Sequence, residues 1–97
     1  MIVRYTARAS DDLADITAYL DQHSPKAASS VRRAIETSVA LLGDFPELAP
    51  ATDIPGVREL TIVRYPYKVY YVPQGGEVWI LHIRDARRKP WIEEIRS

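Results

Sequence analysis

Residues 67–83, YKVYYVPQGGEVWILHI, decide the fold. Tyr67 to Val72 is rich in aromatic and β-branched residues, and Glu77 to Ile83 is richer still. Gln74-Gly75-Gly76 between them supplies turn chemistry, so the stretch reads as a β-hairpin. Strand alternation predicts Val69, Tyr71, Leu81 and Ile83 on one face, toward whatever covers the sheet. Lys68, Tyr70, His82 and Arg84 then project from the other. Just upstream, Val57 to Val63 alternates as well, with Leu60 and Ile62 opposite Glu59 and Thr61. Ile2 to Tyr5 is a short apolar strand candidate at the start of the chain.

Between the first strand and the others lie two stretches of helical period. Ser10 before Asp11 and Asp12 reads as an N-cap followed by acids suited to the positive end of a helix dipole. Leu13, Ile16 and Leu20 carry the stripe to about Gln22. Ser24-Pro25 stops this helix and starts a second, with serine as cap and proline at the first helical position. Ala28, Val31, Ile35, Val39 and Leu42 form its apolar face, and Gly43 is a suitable C-cap. Residues 44–56, with Pro46, Pro50 and Pro55, read as a partly mobile connector ending in a Pro55-Gly56 turn. The order is β-α-α-β-β-β. An α+β fold follows, with a helical hairpin packed on one face of a small antiparallel sheet.

At 97 residues the chain makes one domain, 1–97. Apolar residues are 46% and charged residues 27%, an ordinary globular composition. Thirteen basic and thirteen acidic side chains cancel, but residues 1–56 carry five against eight and residues 57–97 eight against five. The positive charge therefore sits in the C-terminal half. The absence of cysteine removes disulfides, thiolate catalysis and cysteine-ligated metals. His23 and His82 stand alone, without metal-ligand spacing, so neither metal nor cofactor is expected. No Gly-x-Ser-x-Gly elbow is present, and Gly75-Gly76 lacks the Lys-Ser/Thr of a phosphate loop. Asp11, Asp12 and Asp15 read as helix-start charges, and Glu93-Glu94 as solvated charge near the end. The N-terminal residues lack a signal-peptide core and no run reaches membrane-spanning length, so a cytoplasmic chain without membrane association is expected.

One constellation is informative. Arg58, Arg64, Lys68, Arg84, Arg87, Arg88 and Lys89 interleave with Tyr65, Tyr67, Tyr70, Tyr71, Trp79 and Trp91. A basic, aromatic sheet face binds RNA phosphates and bases, or an acidic protein segment. The alternative is that long basic side chains only keep a one-sided sheet in water.

In order and spacing, several motifs resemble the ParE/RelE superfamily, toxins of bacterial type II toxin–antitoxin modules. They are the Ser24-Pro25-Lys26-Ala27-Ala28 junction, Asp44-Phe45-Pro46-Glu47-Leu48, Gly56-Val57-Arg58-Glu59-Leu60, Tyr65-Pro66-Tyr67-Lys68-Val69-Tyr70-Tyr71, and Ile80-Leu81-His82-Ile83 leading to Arg87-Arg88. The resemblance covers essentially the whole chain. It implies a small toxin neutralised by a cognate ParD-like antitoxin in a hetero-oligomer, the antitoxin's disordered C-terminal segment folding as it wraps the toxin. It also implies one of two activities: poisoning of DNA gyrase, as in ParE-like members, or ribosome-dependent mRNA cleavage, as in RelE-like members.

The residues weigh these two. Lys68 falls where RelE-like members carry a catalytic arginine, but Glu59 and Thr61 fall where they carry lysines. Asp85 stands where many members have His or Lys. The terminal arginine matches Arg87 or Arg88, and the late tyrosine has only Trp91 as counterpart. A neutral chain also lacks the strongly basic surface of a ribosome-entering nuclease. The gyrase reading is therefore favoured, with Arg84, Arg87, Arg88 and Trp91 carrying target or antitoxin contact and Arg58, Tyr65, Lys68 and Tyr70 in support. The nuclease alternative would use Lys68, Arg84, Arg87 and Arg88 around a phosphate.

Overall fold

The structure, a computed structural model, describes residues 1–87. Arg88, Lys89 and Trp91 lie outside the described residues. Strand β1 (Ile2–Tyr5) leads directly into helix α1 (Ala7–Asp21), followed by α2 (Pro25–Asp44), β2 (Arg58–Thr61), β3 (Tyr67–Gln74) and β4 (Glu77–Asp85). The sheet order is β1-β4-β3-β2. The hairpin β3–β4 and the pair β2–β3 are antiparallel, as expected. β1 joins β4 in parallel, so the sheet is mixed, with β4 central.

Helix α1 begins four residues earlier than Ser10 would place it. Thr6 is the cap: its hydroxyl accepts from Ala9 N–H at 3.1 Å and donates to the Ile80 carbonyl at 2.8 Å. One side chain thus ends β1, starts α1 and ties both to β4. α2 starts as read, with Ser24 Oγ accepting from Ala27 N–H and Pro25 in the first turn. Its buried face is Ala28, Val31, Ile35, Val39 and Leu42, the predicted stripe. The helix does not stop at Gly43; Phe45 caps it by donating to the Leu41 carbonyl. Gly43 serves a close approach instead. A Cβ there would stand 2.8 Å from the Met1 carbonyl oxygen, and the Met1 ammonium donates to the Gly43 carbonyl at 2.7 Å.

The α2 stripe, with Ala9 and Leu13 of α1, packs on Val69, Tyr71, Val78, Ile80 and Ile83 in one core. Leu81, expected in that core, is the extra residue of a bulge: Tyr70 pairs with His82 and Tyr71 with Ile80. The bulge puts Ile80 and Ile83, three residues apart, both into the core. The connector is pinned rather than mobile. Ala49 is buried, its N–H donates to the Tyr71 hydroxyl at 3.2 Å, and its carbonyl accepts from Arg58 Nη1 at 2.7 Å.

Candidate functional site

β4 outruns β1. β1 pairs only with Glu77 to Ile80, so Leu81 to Asp85 have no strand on that side, and α1 packs on β4. The exposed edge would leave the Ile83 N–H unpaired. Asp12 of α1 satisfies it: Oδ2 accepts from Ile83 N–H at 3.0 Å. The same oxygen lies 2.6 Å from His82 Nδ1, and because a carboxylate accepts, the imidazole presents its Nδ1–H. Asp12 is therefore no helix-start charge; it sits in the second turn of α1 and bonds across to the sheet.

His82 is only 7% exposed, and its ring stacks on Tyr70 with centroids 6.0 Å apart. The Tyr70 hydroxyl accepts from Arg84 Nε at 3.0 Å, and the guanidinium lies 5.8 Å from the tyrosine ring centre. Arg84 Nη1 also donates to the Asp85 carbonyl at 2.9 Å. A continuous relay, Asp12–His82–Tyr70–Arg84, links helix to strand end. Beside it, Arg87 grips Asp85 through two guanidinium bonds of 3.0 and 2.7 Å, while its side chain stays 73% exposed. Asp85 pushes the Arg87 guanidinium still further up from its ordinary value.

All of these groups except Tyr70 line a cleft of about 490 Å³ between α1 and the β4 end. Arg8, Asp12, Asp15 and Tyr19 form the helix wall; Tyr67, His82, Arg84 and Arg87 form the strand wall. The cleft thus carries both signs of charge and an exposed aromatic, Tyr19. Such a lining suits a protein segment with apolar and charged anchors. No cluster of metal-ligating side chains occurs among the described residues.

The sequence-assigned residues divide. Lys68, Tyr70, Arg84 and Arg87 come together at this end of the sheet, Lys68 in register with Arg84. Lys68 Nζ is held by Glu59 Oε1 at 2.5 Å. Arg58 lies apart, its guanidinium spent on the carbonyls of Ala49 and Glu47. Tyr65 lines a different groove, against α2. Sequence reasoning missed Asp12 and His82 as a pair. Each looks ordinary alone, and only the fold joins them.

Burial raises the tyrosines of this region. Tyr70 and Tyr71 are pushed above the usual 10.0, foremost by desolvation; the Arg84 hydrogen bond partly opposes this at Tyr70 and the Ala49 N–H at Tyr71. Tyr5 is likewise raised by burial, with Glu36 adding to it. A raised folded pKa stabilises the native state below pH 10, and this contribution is lost as pH rises through the folded values, because unfolded tyrosines ionise first. In an alkaline titration, the phenolate absorbance of these three is expected to rise together with loss of the helical signal. Full ionisation near pH 10 with the fold intact would contradict the burial argument.

Residues 3–90 match the family model described as the ParE toxin of the type II toxin–antitoxin system parDE. Toxin RelE2 of Caulobacter vibrioides is 39% identical over 89 residues, covering 89% of this chain and 96% of the relative. The putative toxin Y4kP of Sinorhizobium fredii is 35% identical over 69 residues, covering 71% and 72%. Among solved structures, a chain of the chromosomal ParDE system from P. aeruginosa superposes with a TM-score of 0.77 at 28% identity, covering 88% of this chain and 95% of that one. The E. coli RelBE complex shares the fold, with a TM-score of 0.68 at 13% identity over 90% and 98%. None of the described helices is long and apolar enough to cross a membrane. With a family match across nearly its whole length and the same two helices on a four-stranded sheet, this chain belongs to the ParE/RelE superfamily as a ParE-family toxin of a type II toxin–antitoxin system.

Proposed function

We propose that this toxin inhibits DNA gyrase by binding it, has no nuclease activity of its own, and is neutralised by a ParD-like antitoxin. The observation that carries the reading is the closure of Lys68 by Glu59 at 2.5 Å. RNA cleavage by in-line attack needs cations directed at the charge developing on the scissile phosphate. Here the lysine best placed for that role is held by a carboxylate on the neighbouring strand. Arg87 is likewise engaged by Asp85. The chain's thirteen cations are matched by thirteen acids, so counterion release adds little affinity for ribosomal RNA.

Target contact falls to Arg84 and Arg87 at the cleft and continues into Arg88 and Trp91. Arg58 supports the connector. The relatives come from a ParDE system and a RelBE complex, which favours an antitoxin partner, and the cleft between α1 and β4 suits an antitoxin segment that folds on binding.

The test uses purified toxin, gyrase, ATP and supercoiled plasmid, with products resolved after protein digestion. Gyrase-dependent linear DNA is the expected result. Normal supercoiling by toxin that is folded and toxic in cells, together with codon-phased mRNA cuts in a translating extract, would transfer the assignment to the ribosome.

A further inference from the structure

Helix α2 has a second face. Its inner side, from Ala28 to Leu42, fills the core, but Arg33, Thr37, Leu41 and Asp44 turn to solvent. Leu41 begins an apolar row at the end of the helix. Phe45 N–H donates to the Leu41 carbonyl and Leu48 N–H to the Phe45 carbonyl, so the three follow one another about a turn apart. Each is about half exposed. Large apolar side chains exposed singly are ordinary, whereas three in one row form a patch. Nearer the middle of the helix, Ala34, Thr37 and Ser38 form a hollow with Val63 and Tyr65 of the turn after β2. This side of α2 is therefore raised at its C-terminal end and recessed at its centre.

The charges on the same side are sorted along the helix. Lys26 and Arg33 stand in its N-terminal half, Asp44 and Glu47 at its C-terminal end, and all four are exposed. None of them has an ion-pair partner among the described residues, whereas the neighbouring Arg32 is paired with Glu36. With 3.6 residues per turn, Lys26, Arg33 and Asp44 fall within about 20° of one line along the helix. Arg33 and Asp44 stand about three turns, or about 16 Å, apart on it.

We infer that this face of α2 is an interface between two copies of the chain, paired antiparallel about a two-fold axis level with Ser38. The sorting of charge selects both the occupant and the direction. Such an axis brings Arg33 of each copy level with Asp44 of the other, closing two ion pairs from groups that one copy leaves unpaired. A parallel pair would set Arg33 against Arg33 and Asp44 against Asp44. A purely acidic or purely basic partner would meet repulsion at one end of the face, whereas a second copy complements both ends. The apolar row fits the same register. Leu41 of one copy comes level with the hollow between Ala34 and Thr37 of the other, and Phe45 with Ser30 and Arg33. The cleft is lined from α1 and not from α2, so the dimer leaves it open. The inference stands whether or not gyrase is the target.

The test is analytical ultracentrifugation of the full chain over a range of concentrations. A mass that rises with concentration towards twice that of one chain is expected, with the micromolar affinity of a small interface. Arg33→Glu or Asp44→Arg alone sets like charges against each other and should weaken dimerisation about tenfold or more. The two substitutions together reverse both ends of each pair and should restore it. Leu41→Asp, at an exposed position, should leave a folded monomer by circular dichroism. Arg8→Glu, in the cleft, should leave the dimer unchanged. A wild-type chain monomeric at every concentration would overturn the interface. So would a dimer indifferent to Leu41→Asp, or a charge-reversed double variant no tighter than either single one. A monomeric wild type whose antitoxin binding is lost with Leu41→Asp would give the face to the antitoxin, which also overturns the inference.

Discussion

Replacing Asp12 by alanine is expected to lower the unfolding free energy by about 3 kcal/mol. Two groups lose their partner at once: the Ile83 N–H, in a residue 2% exposed, and the His82 imidazole, in a residue 7% exposed. Each buried donor left without an acceptor costs about 1–3 kcal/mol. In a domain of this size the loss corresponds to a fall in melting temperature of roughly 12–24 °C. Asp12→Asn should be milder, about 1 kcal/mol, since the amide oxygen can still accept from Ile83 but the charge is gone. Asp11→Ala, exposed and one residue away, should change stability by less than about 0.5 kcal/mol. Thermal and urea unfolding of the three variants decides the matter. An Asp12→Ala variant as stable as Asp11→Ala would show that water replaces the carboxylate at no cost and that the helix does not hold the open edge of β4.

That edge also shows where the sequence could and could not be read. Local chemistry was legible. Ser24-Pro25 announces α2, the stripe Ala28 to Leu42 gives its buried face, and Gly75-Gly76, both at positive φ, close the β3–β4 hairpin. What depended on distant partners was not. Thr6 and Ser10 are both sound N-caps, and the choice falls to Thr6 because its hydroxyl also reaches the Ile80 carbonyl, 74 residues away. Four apolar-rich residues in β1 carry no signal that they pair in parallel with β4. The run Val78 to Ile83 is apolar on both faces apart from His82, so alternation could not locate the bulge at Leu81.

The candidate site divides in the same way. The basic, aromatic character of β3 and β4 was plain, and Lys68, Tyr70, Arg84 and Arg87 do gather at one end. The carboxylates that organise them were not assigned: Asp12 read as a helix-start charge, and Glu59 and Asp85 only as replacements of basic residues, until the fold placed each against a specific donor. The acidic N-terminal half and the basic C-terminal half therefore do not form two separate charged layers. They meet at the cleft, where Asp12 and Asp15 of α1 face Arg84 and Arg87.

Arg84 is where this arrangement bears most directly on the proposed target. Its Nε is committed to the Tyr70 hydroxyl and its Nη1 to the Asp85 carbonyl, so the guanidinium is pre-oriented before any partner arrives. Pre-orientation removes the rotamer entropy that a long side chain otherwise loses on binding. Arginines so placed are frequent hot spots, with truncation costing 2 kcal/mol or more, which is about thirtyfold in affinity. Arg84→Ala is accordingly expected to weaken gyrase poisoning about thirtyfold, against a stability loss of about 1 kcal/mol for the lost hydrogen bond to the Tyr70 hydroxyl. Arg84→Lys keeps the charge but cannot hold both acceptors with a fixed fork, and should lose about tenfold. Tyr70→Phe keeps the ring against His82 and removes the hydroxyl that accepts from Nε and also bonds Glu59, so a several-fold loss is expected if orientation matters beyond charge. The measurement is the toxin concentration giving half-maximal linear DNA, with melting temperature read alongside for each variant. Poisoning by folded Arg84→Ala at the wild-type concentration would remove Arg84 from the target surface and leave the relay from Asp12 as a device for holding α1 to the sheet.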